Sequence, residues 1–306
     1  MSFAFVFPGQ GSQSVGMMTA YGEAVHATFD EASTALGQDL WARVAEGPAE
    51  ALNQTVNTQP AMLAAGVAVW RLWLAQGGAM PAVMAGHSLG EYTALVCAGA
   101  LDFPDAVQLV RLRAEAMQSA VPEGVGAMAA ILGLDDDTVR TVCTEAAQGE
   151  VLAAVNFNSP GQVVIAGHKA AVERGCALAR DKGARRALPL PVSVPSHCEL
   201  MQPAADVVAT ALAGIEVRKP VIPVIHNADV LAHDSPDAIR AALAQQLYSP
   251  VRWVETVQAI AARGINLIAE CGPGKVLAGL NKRIVEGVPT LAITDAASLA
   301  DVLGKV

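Results

Sequence analysis

The pentapeptide Gly86-His87-Ser88-Leu89-Gly90 has the residue types of a nucleophile turn. A serine at the centre of G-x-S-x-G, between a strand and a helix, can project its hydroxyl from a sharp, strained bend. Glycines on either side relieve crowding, and the helix beneath offers unpaired N–H groups with positive dipole character. The matching chemistry is acyl transfer through a serine ester, which needs a base and two N–H donors for the carbonyl oxygen. Leu89, directly after the serine, can supply one donor from its backbone. Gln10, in the turn Pro8-Gly9-Gln10-Gly11, is the best candidate for the other, because its flanking glycines allow close approach. A phosphate-binding reading of that turn fails on spacing. Ser14 stands where a third glycine would be, and no G-x-x-x-x-G-K-[ST] occurs.

The base is sought among six histidines. His87 adjoins Ser88, and neighbours in a tight turn point apart. His26, His168 and His233 fall on segments that read as surface. His226 follows an apolar strand and stays open. His197, in VSVPSHCELM, sits at a second strand-to-helix junction, stiffened by Pro189, Pro191 and Pro195, and is the favoured base. No Asp or Glu after Ser88 has a context that marks it as the group orienting the imidazole. A backbone carbonyl could take that role.

The elements that must carry these residues alternate. FAFVF (3–7) reads as a buried strand ending at Pro8-Gly9. Helical spacing runs over 20–36 and 60–75. Residues 82–85 form a short apolar run before the serine, and Leu89, Tyr92, Leu95 and Val96 recur at helical spacing after it. Residues 104–119 form a helix with Pro104 and Asp105 in its first turn. From 123 to 194 the order is βαββαβ, with a turn at Asn158-Ser159-Pro160-Gly161, which is the ferredoxin-like arrangement. Helices follow at 199–213, 236–247 and 251–263, strands at 221–225 and 265–270, then the loop CGPGK and a helix from Val276. This predicts an α/β core of residues 1–122 and 195–306 with a mainly parallel sheet, and an inserted subdomain of residues 123–194.

Bulk composition narrows the class. With 306 residues and 53% hydrophobic content, the chain can bury a large core. A net charge of −9 without a Lys/Arg block argues against nucleic-acid binding. The five scattered cysteines lack disulfide or zinc spacing, so no metal is expected and a reducing compartment is. No basic leader with a long apolar run and no 18-residue apolar span occurs, so a cytoplasmic protein without a membrane role is expected.

Six motifs carry a resemblance: FPGQGSQ (7–13), GHSLGEY (86–92), NFNSPGQVVIAG (156–167), VPSHC (194–198), QLYSPVRW (246–253) and ECGPGKVL (270–277). In this order, over nearly the whole chain, they resemble the malonyl-CoA:acyl-carrier-protein transacylases of bacterial fatty-acid synthesis. The resemblance implies an α/β-hydrolase-like core with a ferredoxin-like insert. It implies Ser88 as nucleophile, His197 as base, Gln10 and Leu89 as oxyanion donors, and the main-chain carbonyl of Gln246 as the group that orients His197. Within VRLRAEAM it points to Arg113 rather than Arg111 as the arginine that grips the malonyl carboxylate. A guanidinium can do so with two parallel charge-assisted hydrogen bonds. The reaction so implied is ping-pong malonyl transfer from malonyl-CoA to the phosphopantetheine thiol of acyl carrier protein. It uses no cofactor, since CoA is a substrate. Other malonyl-using pathways and a serine esterase or thioesterase are the alternatives. An acidic carrier would require a local basic patch, for which Lys182, Arg185 and Arg186, and Lys275, Lys282 and Arg283, are candidates.

Overall fold

The computed structural model describes residues 2–192 and 194–306. Its strands are β1 (Phe3–Phe7), β2 (Val83–Gly86), β3 (Gly126–Leu132), β4 (Leu152–Ser159), β5 (Gln162–His168), β6 (Arg186–Pro189), β7 (Val224–Ile225), β8 (Leu267–Cys271) and β9 (Thr290–Ile293).

One sheet has the order β7-β2-β1-β8-β9, and every pairing in it is parallel. Central β1 pairs Ala4 with both Val83 and Ile268. Phe3, Phe5 and Phe7 point to one face, where the helix Thr55–Ala75 lays Trp70 and Trp73 against them; the Phe5 and Trp73 rings are 5.0 Å apart. Ala4 and Val6 point to the other face and join Val83, Ala85, Ile268, Trp253 and Val257. A parallel sheet covered on both faces has strands that are apolar throughout rather than alternating, which is why FAFVF shows no period of two.

The second sheet has the order β4-β5-β3-β6 and is antiparallel throughout. Helices Asp136–Ala147 and Lys169–Asp181 cover one face, burying Ile131, Val139, Ile165 and Val172. This is the βαββαβ order read from the sequence. Its other face carries Met128, Val155, Val164 and Ala166, packed with Cys198 and flanked by Leu190 and Val192. β4 is tied to the segment leading into the helix Trp253–Ala262, where the Phe157 N–H donates to the Val251 carbonyl (3.0 Å) and the Val251 N–H to the Val155 carbonyl (2.8 Å).

Several elements depart from the sequence reading. The strand expected over 221–225 is only Val224–Ile225. Pro220 and Pro223 bring no N–H to a ladder, although the Pro223 carbonyl still accepts from Met84 N–H at 2.8 Å. The helix expected from 60 begins at Thr55, with Pro60 inside it. Pro60 leaves the Val56 carbonyl without its helical donor, and Arg111 Nη1 approaches that oxygen at 3.5 Å. β9 and the helix Ala296–Leu303, capped by Asp295 and Ser298, had no counterpart in the sequence reading.

Candidate active site

Ser88 follows β2 and precedes the helix Leu89–Cys97, with φ 51° and ψ −110°. That backbone is strained for any residue but glycine. The flanking glycines are required by space. A Cβ at Gly86 would fall 1.8 Å from the Gly90 carbonyl carbon, and one at Gly90 would fall 2.1 Å from the Phe7 oxygen. Asn227, at the end of β7, holds the bend from below. Its Oδ1 accepts the Ser88 N–H (2.7 Å) and its Nδ2 donates to the Gly86 carbonyl (2.7 Å). The Asn227 N–H donates in turn to Glu91 Oε2 at 2.8 Å, and Glu91 is fully buried.

Ser88 Oγ lies 2.8 Å from His197 Nε2. His197 Nδ1 lies 2.8 Å from the main-chain oxygen of Gln246. A carbonyl can only accept, so Nδ1 carries the proton and Nε2 is left to accept from the serine hydroxyl. His197 is 3% exposed and has φ 67°, with its N–H donating to the Leu247 carbonyl. Burial, and then the nearby Arg113 charge, push its pKa down to about 3. The ring is therefore neutral near pH 7, and no carboxylate among the described residues bonds to it to support an imidazolium.

Arg113 lies in the helix Phe103–Ser119 and is 1% exposed. Its Nη1 donates to Gln59 Oε1 (2.8 Å), and its Nη2 donates to Gln246 Oε1 (2.9 Å) and, more weakly, to Ser88 Oγ (3.3 Å). Its guanidinium carbon is 5.3 Å from the centre of the Tyr92 ring. Nε has no partner, and no carboxylate among the described residues forms an ion pair with Arg113. Burial lowers its pKa from the usual arginine value. Arg111 faces outward instead and pairs with Glu115 at 2.6 Å.

These groups open onto a cavity of about 530 Å³ between the two sheets. Gln10, Leu89, Ser88, Arg113 and His197 line it from the core side, and Met128, Asn156, Asn158 and Val164 from the second sheet. The backbone N–H groups of Gln10 and Leu89 donate to no acceptor among the described residues. Two such free donors beside a serine can receive the negative charge of a tetrahedral intermediate. Among the described residues no His/Cys/Asp/Glu group is arranged to hold a metal, and no helix is long and apolar enough to cross a membrane.

The structure thus brings Ser88, His197, Arg113, Gln10 and Leu89 to one cavity, with the Gln246 carbonyl buried behind His197. It separates His226 from them. His226 Nδ1 contacts Glu91 Oε1 at 2.8 Å, both residues fully buried. His87 also lines the cavity, but its Nε2 is engaged by Asn158 Oδ1 (2.8 Å) and its ring lies beside Trp253, not on Ser88 Oγ. Of the basic candidates, Lys182 is paired with Glu145, while Arg283, just after the helix Val276–Asn281, hydrogen-bonds Gln162 of β5. Sequence reasoning did not single out Asn227, Glu91, Gln59 or the side chain of Gln246. Gln59 left a trace, as a polar residue next to the apolar run that begins at Pro60 in the helix Thr55–Ala75. Glu91 left another, as an acid three residues after Ser88 on a buried helix.

Comparison with known proteins gives a consistent set of likenesses. Residues 4–304 match the family model described as acyl transferase domain. The chain is 59% identical over 304 residues to the malonyl CoA-acyl carrier protein transacylase of Escherichia coli strain K12, covering 98% of each. It superimposes with a TM-score of 0.98 on the acyl-carrier-protein S-malonyltransferase of Burkholderia pseudomallei 1710b, at 58% identity and covering 99% of this chain and 100% of that one. A malonyl-transacylase in complex with its type II PKS acyl-carrier protein also aligns with a TM-score of 0.98, at 56% identity over 100% of both chains.

Proposed function

Because the chain belongs to the acyl transferase domain family, we propose that it moves a malonyl group from malonyl-CoA to the phosphopantetheine thiol of acyl carrier protein through a malonyl ester of Ser88. His197 Nε2 takes the Ser88 proton as Oγ attacks the thioester carbonyl. The tetrahedral oxyanion rests on the N–H groups of Gln10 and Leu89. The C–S bond then breaks, and His197 Nε2 gives its proton to the departing sulfur, so that CoA leaves as the thiol and the imidazole is neutral again. In the second half the carrier thiol gives its proton to Nε2 and attacks the ester carbonyl. The C–O bond breaks, and Ser88 Oγ recovers its proton. Gln246 keeps the imidazole in the accepting tautomer through its main-chain oxygen. Serine, imidazole and backbone donors supply every step, so the route calls for no cofactor.

One observation carries the substrate assignment. The Arg113 guanidinium is 1% exposed, has no carboxylate partner among the described residues, and sits 3.3 Å from the nucleophile. An unpaired buried cation is costly, by several kcal/mol on the order of 3–5. An acyl group that ends in its own carboxylate removes that cost, and acetyl does not. The segments 1–122 and 195–306 would form the catalytic core and 123–194 the insert that roofs the cavity, a division supported by the separate cores of the two sheets. A cytoplasmic setting fits the five free, buried cysteines.

Intact-mass measurement after brief exposure to malonyl-CoA or acetyl-CoA tests this reading. A malonyl adduct mapping to Ser88, absent from Ser88→Ala and far slower to form with acetyl, is the expected result. An adduct that persists in Ser88→Ala would mean another nucleophile.

A further inference from the structure

Buried arginines are ordinarily matched by carboxylates, since a charge removed from water needs a counter-charge. Arg113 is matched by amides. Gln59 reaches it from the helix Thr55–Ala75 and Gln246 from the end of the helix Pro236–Gln246. Gln59 is 1% exposed and Gln246 is fully buried. Both amides have defined orientations. A guanidinium has only donors, so each amide must turn its oxygen toward it. Gln246 Nε2 then donates to the Ser88 carbonyl at 3.0 Å, and Gln59 Nε2 faces Met117 Sδ at 3.8 Å. The guanidinium is thereby fixed in position while its full charge is kept. A carboxylate at either position would hold it as firmly and would cancel the charge.

We propose that Gln59 and the side chain of Gln246 are specificity-determining residues, neutral acceptors that position Arg113 while leaving it uncompensated, so that a substrate carboxylate must complete the pair. This rests on the malonyl-transfer reading above and extends it to two residues that do no chemistry on the acyl group. The selection against neutral acyl groups then comes from what the site withholds, a counter-ion, as much as from the arginine it offers. Gln246 joins this function to the dyad, because its main-chain oxygen orients His197 while its side chain holds Arg113.

The test installs the missing counter-ion. Full-length Gln59→Glu and Gln246→Glu are assayed for acylation by malonyl-CoA and acetyl-CoA in parallel, together with Ser88 labelling by an uncharged fluorophosphonate. The malonyl-to-acetyl ratio of kcat/KM is expected to fall by about tenfold or more in each variant. In Gln59→Glu that fall should come from the malonyl side, with acetyl unchanged or faster and labelling retained; Gln246→Glu, whose main chain also orients His197, is read by the ratio alone. An unchanged ratio with retained labelling overturns the proposal. So does a parallel loss of both substrates or of labelling in Gln59→Glu, which would make the amides structural supports. If Gln246→Glu does not fold, Gln59→Glu decides alone, because Gln59 has no bond to the dyad. A parent chain that forms no malonyl adduct would instead refute the underlying function and would be seen before any variant is compared.

Discussion

Two buried imidazoles each touch the serine turn, one at Ser88 and one at Glu91, and their surroundings are inverted. His226 has a carboxylate, Glu91 Oε1 at 2.8 Å, and no reactive hydroxyl. His197 has the hydroxyl, at 2.8 Å, and only a main-chain carbonyl behind it. Burial opposes the charged form of both. At His226 burial is the largest single effect, but the Glu91 charge, the hydrogen bond to Glu91 and the Asp229 charge together outweigh it and raise the pKa, whereas at His197 burial and the Arg113 charge act together and lower it to about 3. The acid–imidazole pair familiar from serine hydrolases is thus present but used for support. Glu91 accepts from Asn227, which clamps the strained Ser88. The imidazole proposed as the base has no anion beside it among the described residues, so it has less drive to activate a water molecule. A carboxylate near it would also compete for Arg113, the group proposed to recognise the substrate.

The sharpest way to break this comparison is to remove each ring in turn. His197→Ala should slow malonylation of Ser88 by about 1,000-fold or more, the scale expected when a general base that also returns the proton is lost. Single-turnover adduct formation reads this directly. A fall of less than tenfold would mean that another base serves Ser88. His226→Leu should act on stability instead. It leaves Glu91 buried with only the Asn227 N–H, at a cost of about 3 kcal/mol in urea unfolding. Acylation should fall much less than in His197→Ala. A His226 variant that is stable but inactive would reverse the roles assigned to the two rings.

The same contrast shows what was legible in the chain. Ser88 and His197 stand at strand-to-helix junctions marked by glycines and prolines, and local signals of that kind can be read from a few residues. The paired sheets were legible for the same reason, since β1 is a continuous apolar run ended by Pro8-Gly9, and the apolar stretches of β4 and β5 flank the turn at Ser159-Pro160-Gly161. The support beneath Ser88 was not. Asn227 is 139 residues from the serine it holds, and nothing in its neighbourhood distinguishes it from a loop asparagine. Gln59 is 54 residues from Arg113. Its meaning depends on a guanidinium arriving from another helix. The choice of Arg113 over Arg111 came from family resemblance. Two residues apart on one helix, they point to different surroundings, one buried against Tyr92 and the other at the surface with Glu115. The two-residue strand β7 was over-read because apolar content was weighed above the two prolines that remove its donors.

The smallest effects should appear in the pH dependence of stability, where the two histidines are expected to bend the curve in opposite directions. The folded chain holds residue 197 neutral down to about 3, whereas an unfolded histidine takes up a proton near 6.5. Between those values the unfolded state binds more protons, so the stability associated with neutral His197 is complete above 6.5 and is lost as the pH falls toward 3. His226 has its pKa raised in the folded chain, so its contribution is complete below 6.5 and is lost as the pH rises through the folded value. Urea unfolding of His197→Gln and His226→Gln across pH 4.5–8.5 separates the two. The His197 variant should lose stability less steeply than the parent on the acid side. The His226 variant should be flatter than the parent on the neutral-to-alkaline side. Curves that run parallel to the parent would mean that the surroundings of the two rings are not electrostatically opposed, and the division between a supporting and a catalytic imidazole would lose its physical basis.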